Sequence, residues 1–125
     1  MELKQGAIRV MFDRAKNFSG SINLGIGEPD LDTPSEIVEE GCQALRTGKT
    51  HYTANAGIIE LRNKISEYLY TSGVEVDPEE EIIVTTGGMG ALALAFMVTL
   101  SPNDEVLVQN PQWLNYFAQI KFFGG

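Results

Sequence analysis

Apolar residues recur at helical spacing in five stretches of the chain, with polar or glycine-containing segments between them. Thr33 is predicted to cap the second helix, with Pro34 at its first helical position, because hydroxyl side chains and proline favour helix starts. The fourth helix is apolar on every side, which predicts that it is buried. The five predicted helices span 2–16, 34–48, 58–73, 91–100 and 113–123.

Three short segments have the composition of strands instead. Residues 22–26 alternate between apolar and small or polar side chains, and 82–86 is rich in β-branched residues, as is typical of buried strands. The third predicted strand is 105–109. Because strands and helices alternate along the second half of the chain, the sequence predicts an α/β fold. Gly124 and Gly125 follow the last helix, where an α/β fold normally continues into another strand, so we expect the fold to be incomplete as given.

Charge and composition exclude several classes of protein. The chain has 9 Lys and Arg against 17 Asp and Glu, a net charge of −8, and its basic residues form no cluster, so we expect no nucleic-acid partner. The single cysteine, Cys42, cannot form an internal disulfide framework and suits a reducing compartment. No stretch approaches the roughly 20 apolar residues of a membrane-spanning helix. These features predict a soluble, cytoplasmic protein with no membrane partner.

Two places could carry chemistry. The predicted strand 82–86 runs through Gly87–Gly90 into a helix, so free backbone N–H groups and the helix dipole could hold an anion such as a phosphate. The same glycines could instead allow only close packing of helix on strand. Trp113 follows the strand 105–109, where it could either be core or stack on a flat ligand. His51 has no second metal-ligating residue at suitable spacing, so we expect no metal.

An ordered series of motifs covers nearly the whole chain and resembles the N-terminal part of the class I/II aminotransferases, which depend on pyridoxal phosphate and have fold type I. The resemblance implies the start of a large domain with a mostly parallel sheet and flanking helices. It implies an N-terminal arm and first helices on the small-domain side over 1–47, and the truncated cofactor-binding domain over 48–125. The motifs are Asn23–Asp30 with Asp32–Pro34, Tyr52–Gly57 with Glu60–Arg62, Ile83–Leu92, Asp104–Val106 and Asn110–Trp113.

The resemblance also implies roles for single residues. Trp113 would stack on the pyridine ring of pyridoxal phosphate, and Tyr52 would reach across a homodimer interface to the partner's cofactor phosphate. Gly27 would contact the substrate near its carboxylate through its backbone. Relatives often have a hydroxyl side chain in the phosphate loop, and here Thr85 or Thr86 could replace it. The backbone amides that would hold the phosphate belong to Gly88, Met89 and Gly90.

The implied activity is transfer of an amino group between an amino acid and a 2-oxo acid, with the aspartate/aromatic type favoured. The Schiff-base lysine of the family has no counterpart here, because Lys121 lies on the helix after Trp113, away from the family's lysine motif. We therefore assign no catalytic residue and expect this chain alone to be inactive. Two alternatives stay open at this point. The chain could be a non-catalytic module that binds a phosphate or a subunit, or the parent enzyme could be a fold type I β-lyase or synthase.

Overall fold

The computed structural model describes residues 7–20, 22, 24–25 and 27–125, and its regular secondary structure within these ranges is helical. The second, third and fifth predicted helices are confirmed to within a few residues at each end. The first is confirmed over its later part, whereas residues 2–6 lie outside the described ranges. The helices are α1 (Ala7–Ala15), α2 (Ser35–Arg46), α3 (Ile59–Tyr70), α4 (Gly87–Thr99) and α5 (Asn115–Phe122).

The ends of α2 show one wrong and one correct prediction. The N-cap residue is Pro34, at φ −51° and ψ 139°, and no side chain makes a capping hydrogen bond there. The prediction that Thr33 caps this helix is wrong, because Thr33 lies one residue before the N-cap position. Gly48 ends the helix as predicted, at φ 77°, and Lys49 N–H donates to the Ala44 carbonyl at 2.9 Å. Such a bond past a left-handed glycine is a common way to satisfy the last carbonyls of a helix.

Helix α4 differs from its prediction in two ways. It begins at Gly87, four residues earlier than predicted, so the glycine run forms its first turn. It is apolar on all sides, but no described residue of it is buried, and Val98 is 80% exposed. The prediction of a buried helix is wrong for this chain, because such a helix needs apolar neighbours around its whole circumference and the described residues do not provide them.

No strand is formed within the described residues, so the predicted parallel sheet is not confirmed. In segment 82–86, the Val84 N–H donates to the Ala56 carbonyl at 2.9 Å. In segment 105–109, no backbone group is bonded to another described residue. A β-strand requires a neighbouring strand to pair its backbone N–H and carbonyl groups, and among the described residues neither segment has one. The predicted strand 22–26 includes residues 23 and 26, which lie outside the described residues.

The chain divides into two compact units. One is Thr33–Ala95, and the other combines the described part of Met1–Asp32 with Phe96–Gly125. Each unit contributes one buried apolar side chain among the described residues, Ile82 in the first and Ile120 in the second. The division predicted between residues 47 and 48 concerns the domains of a larger fold and stays a prediction. Among the helices described above, none has the length and apolar character needed to cross a membrane.

Candidate functional site

The first turn of α4 is exposed at its N-terminal end. Gly87 adopts φ 69°, and its N–H donates to the Thr85 carbonyl at 2.8 Å, which closes the turn that leads into the helix. Gly87 and Gly88 are exposed, and the first turn contains no acidic residue. The positive end of the helix dipole therefore lies at the surface without a carboxylate on the helix to repel an anion.

The two threonines before α4 differ in what their hydroxyl groups do. The Thr85 Oγ1 donates to the Gly87 carbonyl at 2.9 Å, so its proton is used within the turn. Thr86 is exposed, and its hydroxyl makes no hydrogen bond to another described residue. Of the two hydroxyl groups that could serve an anion at this helix end, the one on Thr86 is available to donate.

The glycines of this turn have different surroundings. A Cβ atom on Gly88 would meet no atom within 4 Å, so the space in front of this residue is open. A Cβ atom on Gly90 would lie 3.3 Å from Cβ of Thr85, which is tighter than usual packing. Gly90 therefore allows the start of α4 to lie close to Thr85, whereas Gly88 leaves room for a ligand. The close approach of Gly90 to Thr85 supports a packing role for this glycine, and the role of the run in holding a phosphate stays a prediction.

An open depression of about 610 Å³ lies beside this turn. One wall is the loop that contains Thr53, Ala54, Asn55 and Gly57. The facing wall comes from 83–86 and from Gly90, Ala93 and Leu94 of α4. Of the predicted phosphate-binding residues, Gly90 lines the depression, while Gly88 and Met89 do not.

Tyr52 lies apart from that depression. It lines a second one, of about 450 Å³, together with Thr50 and His51, and its side chain is fully exposed. The structure thus places the Tyr52 ring at the surface, with no hydrogen bond from its hydroxyl to another described residue. In the described part of the chain, His51 belongs to no group of three metal-ligating side chains.

Trp113 and Gly27 belong to the other unit. Trp113 is 41% exposed, and its ring meets that of Tyr116 edge to face, with centroids 5.6 Å apart. It is therefore not a fully buried core residue. The neighbouring Gln112 has a buried side-chain amide whose oxygen and nitrogen find no partner among the described residues. Gly27 is exposed, and a Cβ atom on it would meet nothing within 4 Å.

Sequence reasoning missed the wall formed by Thr53–Asn55. The sequence identifies these residues only as part of the motif Tyr52–Gly57, although Gly57 provides a usable signal. It has φ 96°, and this left-handed conformation forces the loop to turn back toward segment 82–86. A glycine between a polar loop and an apolar helix is a reason to look for such a turn.

Comparison of the sequence with known proteins identifies a family. The family model for aminotransferase class I and II matches residues 19–125. A probable aspartate aminotransferase of Methanocaldococcus jannaschii is 47% identical over 124 residues, which are 98% of this chain and 32% of the relative. An aromatic-amino-acid aminotransferase of Thermococcus litoralis is 40% identical over 94% of this chain and 31% of its own length.

A third relative carries a different substrate in its name. The (5-formylfuran-3-yl)methyl phosphate transaminase of Methanocaldococcus jannaschii is 48% identical over 82% of this chain and 28% of its own length. The chain thus spans about a third of the length of the curated relatives it matches. The matches confirm the family predicted from the motifs, whose members have fold type I. The chain belongs to the class I and II aminotransferases.

Proposed function

We propose that this chain is the N-terminal part of a pyridoxal-phosphate-dependent aminotransferase, which moves an amino group between an amino acid and a 2-oxo acid. The observation that carries the proposal is the exposed N-terminus of α4, which lies inside the segment matched by the family. Helix N-termini bind phosphate groups through backbone N–H groups and the helix dipole. The complete protein would supply the rest of the active site.

The residues at this helix end fit the cofactor that the family generally uses. A phosphate needs N–H donors, space, and no negative charge nearby. The surroundings of Gly88 provide the space, and the first turn of α4 contains no acidic residue. When bound, pyridoxal phosphate supplies a reactive carbonyl group and an electron-withdrawing ring. The protein's part is to hold and orient that group.

The proposed contacts divide by chemical type. The backbone amides of Gly88, Met89 and Gly90 hold the phosphate, and the Thr86 hydroxyl donates the hydrogen bond for which relatives often use a side chain within the loop. Trp113 stacks on the pyridine ring, for which its partly exposed indole is suited. Each of these groups binds or orients, and none transfers a proton.

Two further contacts complete the proposal. In a homodimer, the Tyr52 hydroxyl donates a hydrogen bond to the cofactor phosphate of the partner subunit. The fully exposed side chain of Tyr52 supports a role outside its own subunit. Gly27 contacts the substrate through its backbone near the carboxylate. The Schiff-base lysine and the charged residues that bind substrate belong to the two-thirds of the family length outside this chain, so the chain alone would be inactive.

We place the substrate in the aspartate/aromatic class because two of the three relatives described above are named for these amino acids. The third has a different named substrate at a similar identity, so the residues that choose the substrate lie mostly outside this segment. The proposed compartment is the cytoplasm, in keeping with the acidic composition and the single cysteine.

The test uses the complete protein loaded with pyridoxal phosphate. It is incubated with aspartate, labelled with heavy nitrogen, and 2-oxoglutarate, and products are identified by mass spectrometry. Labelled glutamate is expected. In a parallel incubation with nitrogen-labelled cysteine, whose thiol can leave from the β-carbon, labelled ammonia and pyruvate would instead indicate the β-lyase alternative. A second incubation with labelled phenylalanine separates aspartate from aromatic preference. A protein that binds no cofactor and transfers no label would contradict the proposal and favour a non-catalytic module.

A further inference from the structure

Gly57 makes an unusually close approach to Val84. A Cβ atom on Gly57 would lie 2.7 Å from Cγ2 and 2.8 Å from Cβ of Val84, distances that real Cβ atoms essentially never show. The backbone of Gly57 also has φ 96°, a conformation that other residues adopt at a cost. Two independent features therefore require glycine at this position.

The same place is fixed by backbone hydrogen bonds. The Val84 N–H donates to the Ala56 carbonyl at 2.9 Å, directly beside the close contact. The Gly57 N–H donates to the Ala54 carbonyl, also at 2.9 Å, and closes the turn. The loop is thus held against the facing segment at residues 56 and 57.

This contact lies between the two walls of the 610 Å³ depression. Val84 is followed by Thr85, whose hydroxyl bonds to the Gly87 carbonyl at the start of α4. A side chain on Gly57 would push against Val84, only three residues before that helix start. Because closely packed atoms shift rather than overlap, the displacement would be passed to the residues proposed to face the phosphate.

We propose that Gly57 is a positioning residue that sets the distance between the Thr53–Gly57 loop and the N-terminus of α4, and so sets the affinity for the cofactor phosphate. This inference rests on the proposed function, since it assumes that the phosphate binds at α4. Gly57 itself touches no cofactor; it acts through Val84.

The test measures binding to the complete protein after removal of its cofactor. The probes are pyridoxine 5′-phosphate and pyridoxine, alcohols that cannot condense with an amine and differ only in the phosphate. Gly57→Ala is expected to weaken binding of the phosphorylated probe by about ten-fold, while binding of pyridoxine changes by less than about two-fold. A merely destabilised protein would lose both probes together.

Gly48→Ala is the matched control. Gly48 also has a left-handed φ, 77°, but a Cβ atom on it would meet nothing within 4 Å. Gly48→Ala therefore introduces the same kind of backbone strain without a contact to Val84. The affinity of this variant for both probes is expected to stay at the wild-type value. If Gly57→Ala does not fold, Gly57→Asn replaces it, because asparagine tolerates positive φ and still adds the Cβ atom.

A rescue variant tests the route through Val84. Val84→Gly removes both atoms that the new Cβ would meet, so Gly57→Ala with Val84→Gly should recover affinity for the phosphorylated probe compared with Gly57→Ala alone. Failure of the wild-type protein to prefer the phosphorylated probe would overturn the proposed function. A wild-type preference that Gly57→Ala leaves unchanged, or loss without rescue, would overturn only the positioning role.

Discussion

The guanidinium group of Arg62 on α3 donates a hydrogen bond from Nη1 to the Pro78 carbonyl oxygen, at 2.8 Å. The same nitrogen lies 3.0 Å from the Glu79 carbonyl oxygen. One turn further along the helix, Ser66 Oγ donates to the Val76 carbonyl at 2.8 Å. Helix α3 therefore holds residues 75–81, an acidic loop that precedes segment 82–86, and so fixes where the segment leading to α4 begins.

Arg62→Met is expected to release this loop. Two hydrogen bonds from a charged donor would be lost, and bonds of this kind stabilise by roughly 1.5–3 kcal/mol each. Amide hydrogen exchange over residues 79–82 of the complete protein should accelerate by about ten-fold or more.

Lys64→Met is the control on the same helix. Lys64 pairs with Glu67 at 2.6 Å, but both side chains are largely exposed, and such pairs contribute little to stability. Exchange over residues 79–82 should stay as in the wild type. Equal acceleration in both variants would mean that the Arg62 bonds do not hold the loop.

Tyr52→Phe tests the proposed contact to the partner's phosphate. Removing the hydroxyl would remove one hydrogen bond to a charged group, so the affinity for pyridoxine 5′-phosphate should fall by about ten-fold, with little change for pyridoxine. Tyr70→Phe is the matched control, because Tyr70 is also an exposed tyrosine and has no proposed ligand. A fall in both variants, or in neither, would remove Tyr52 from the site.

Trp113→Ala tests the proposed stacking surface. Loss of an aromatic ring that packs on the pyridine should weaken both pyridoxine and its phosphate by a similar factor, about ten-fold, since the ring is common to the two probes. Trp113→Phe keeps a flat ring and should retain most of the affinity. If Trp113→Ala affects only the phosphorylated probe, the residue acts on the phosphate and the stacking role is wrong.

The sequence predicted the helices well because their apolar spacing is local. Helices α2, α3 and α5 have a clear periodic pattern, and Gly48 and Gly73 follow α2 and α3 at the predicted positions, each with a positive φ. The sequence does not predict the start of α4, because glycine has low helix propensity and the run Gly87–Gly90 therefore falls outside the helix predicted over 91–100.

Longer-range features were not predictable in the same way. The hydrogen bond between Arg62 and Pro78 joins residues 16 positions apart, and nothing in the sequence around either residue indicates its partner. Segments 82–86 and 105–109 have strand composition, but a strand forms only where another strand supplies hydrogen-bonding partners. The proposed phosphate-binding residues follow from the resemblance to a family motif, whereas the hydrogen bond from Thr85 Oγ1 to the Gly87 carbonyl could be seen only in the structure.

The central claim is that backbone N–H groups at the start of α4 bind the cofactor phosphate, and Gly88→Pro tests it most directly. Proline removes the Gly88 N–H and is tolerated in the first turn of a helix, whereas Gly88→Ala keeps the N–H and adds a methyl group into open space. We would measure the dissociation constant of pyridoxine 5′-phosphate for both variants of the complete protein. We expect Gly88→Pro to bind this probe about ten-fold or more weakly than Gly88→Ala does. Equal affinities, with helix content unchanged by circular dichroism, would contradict it.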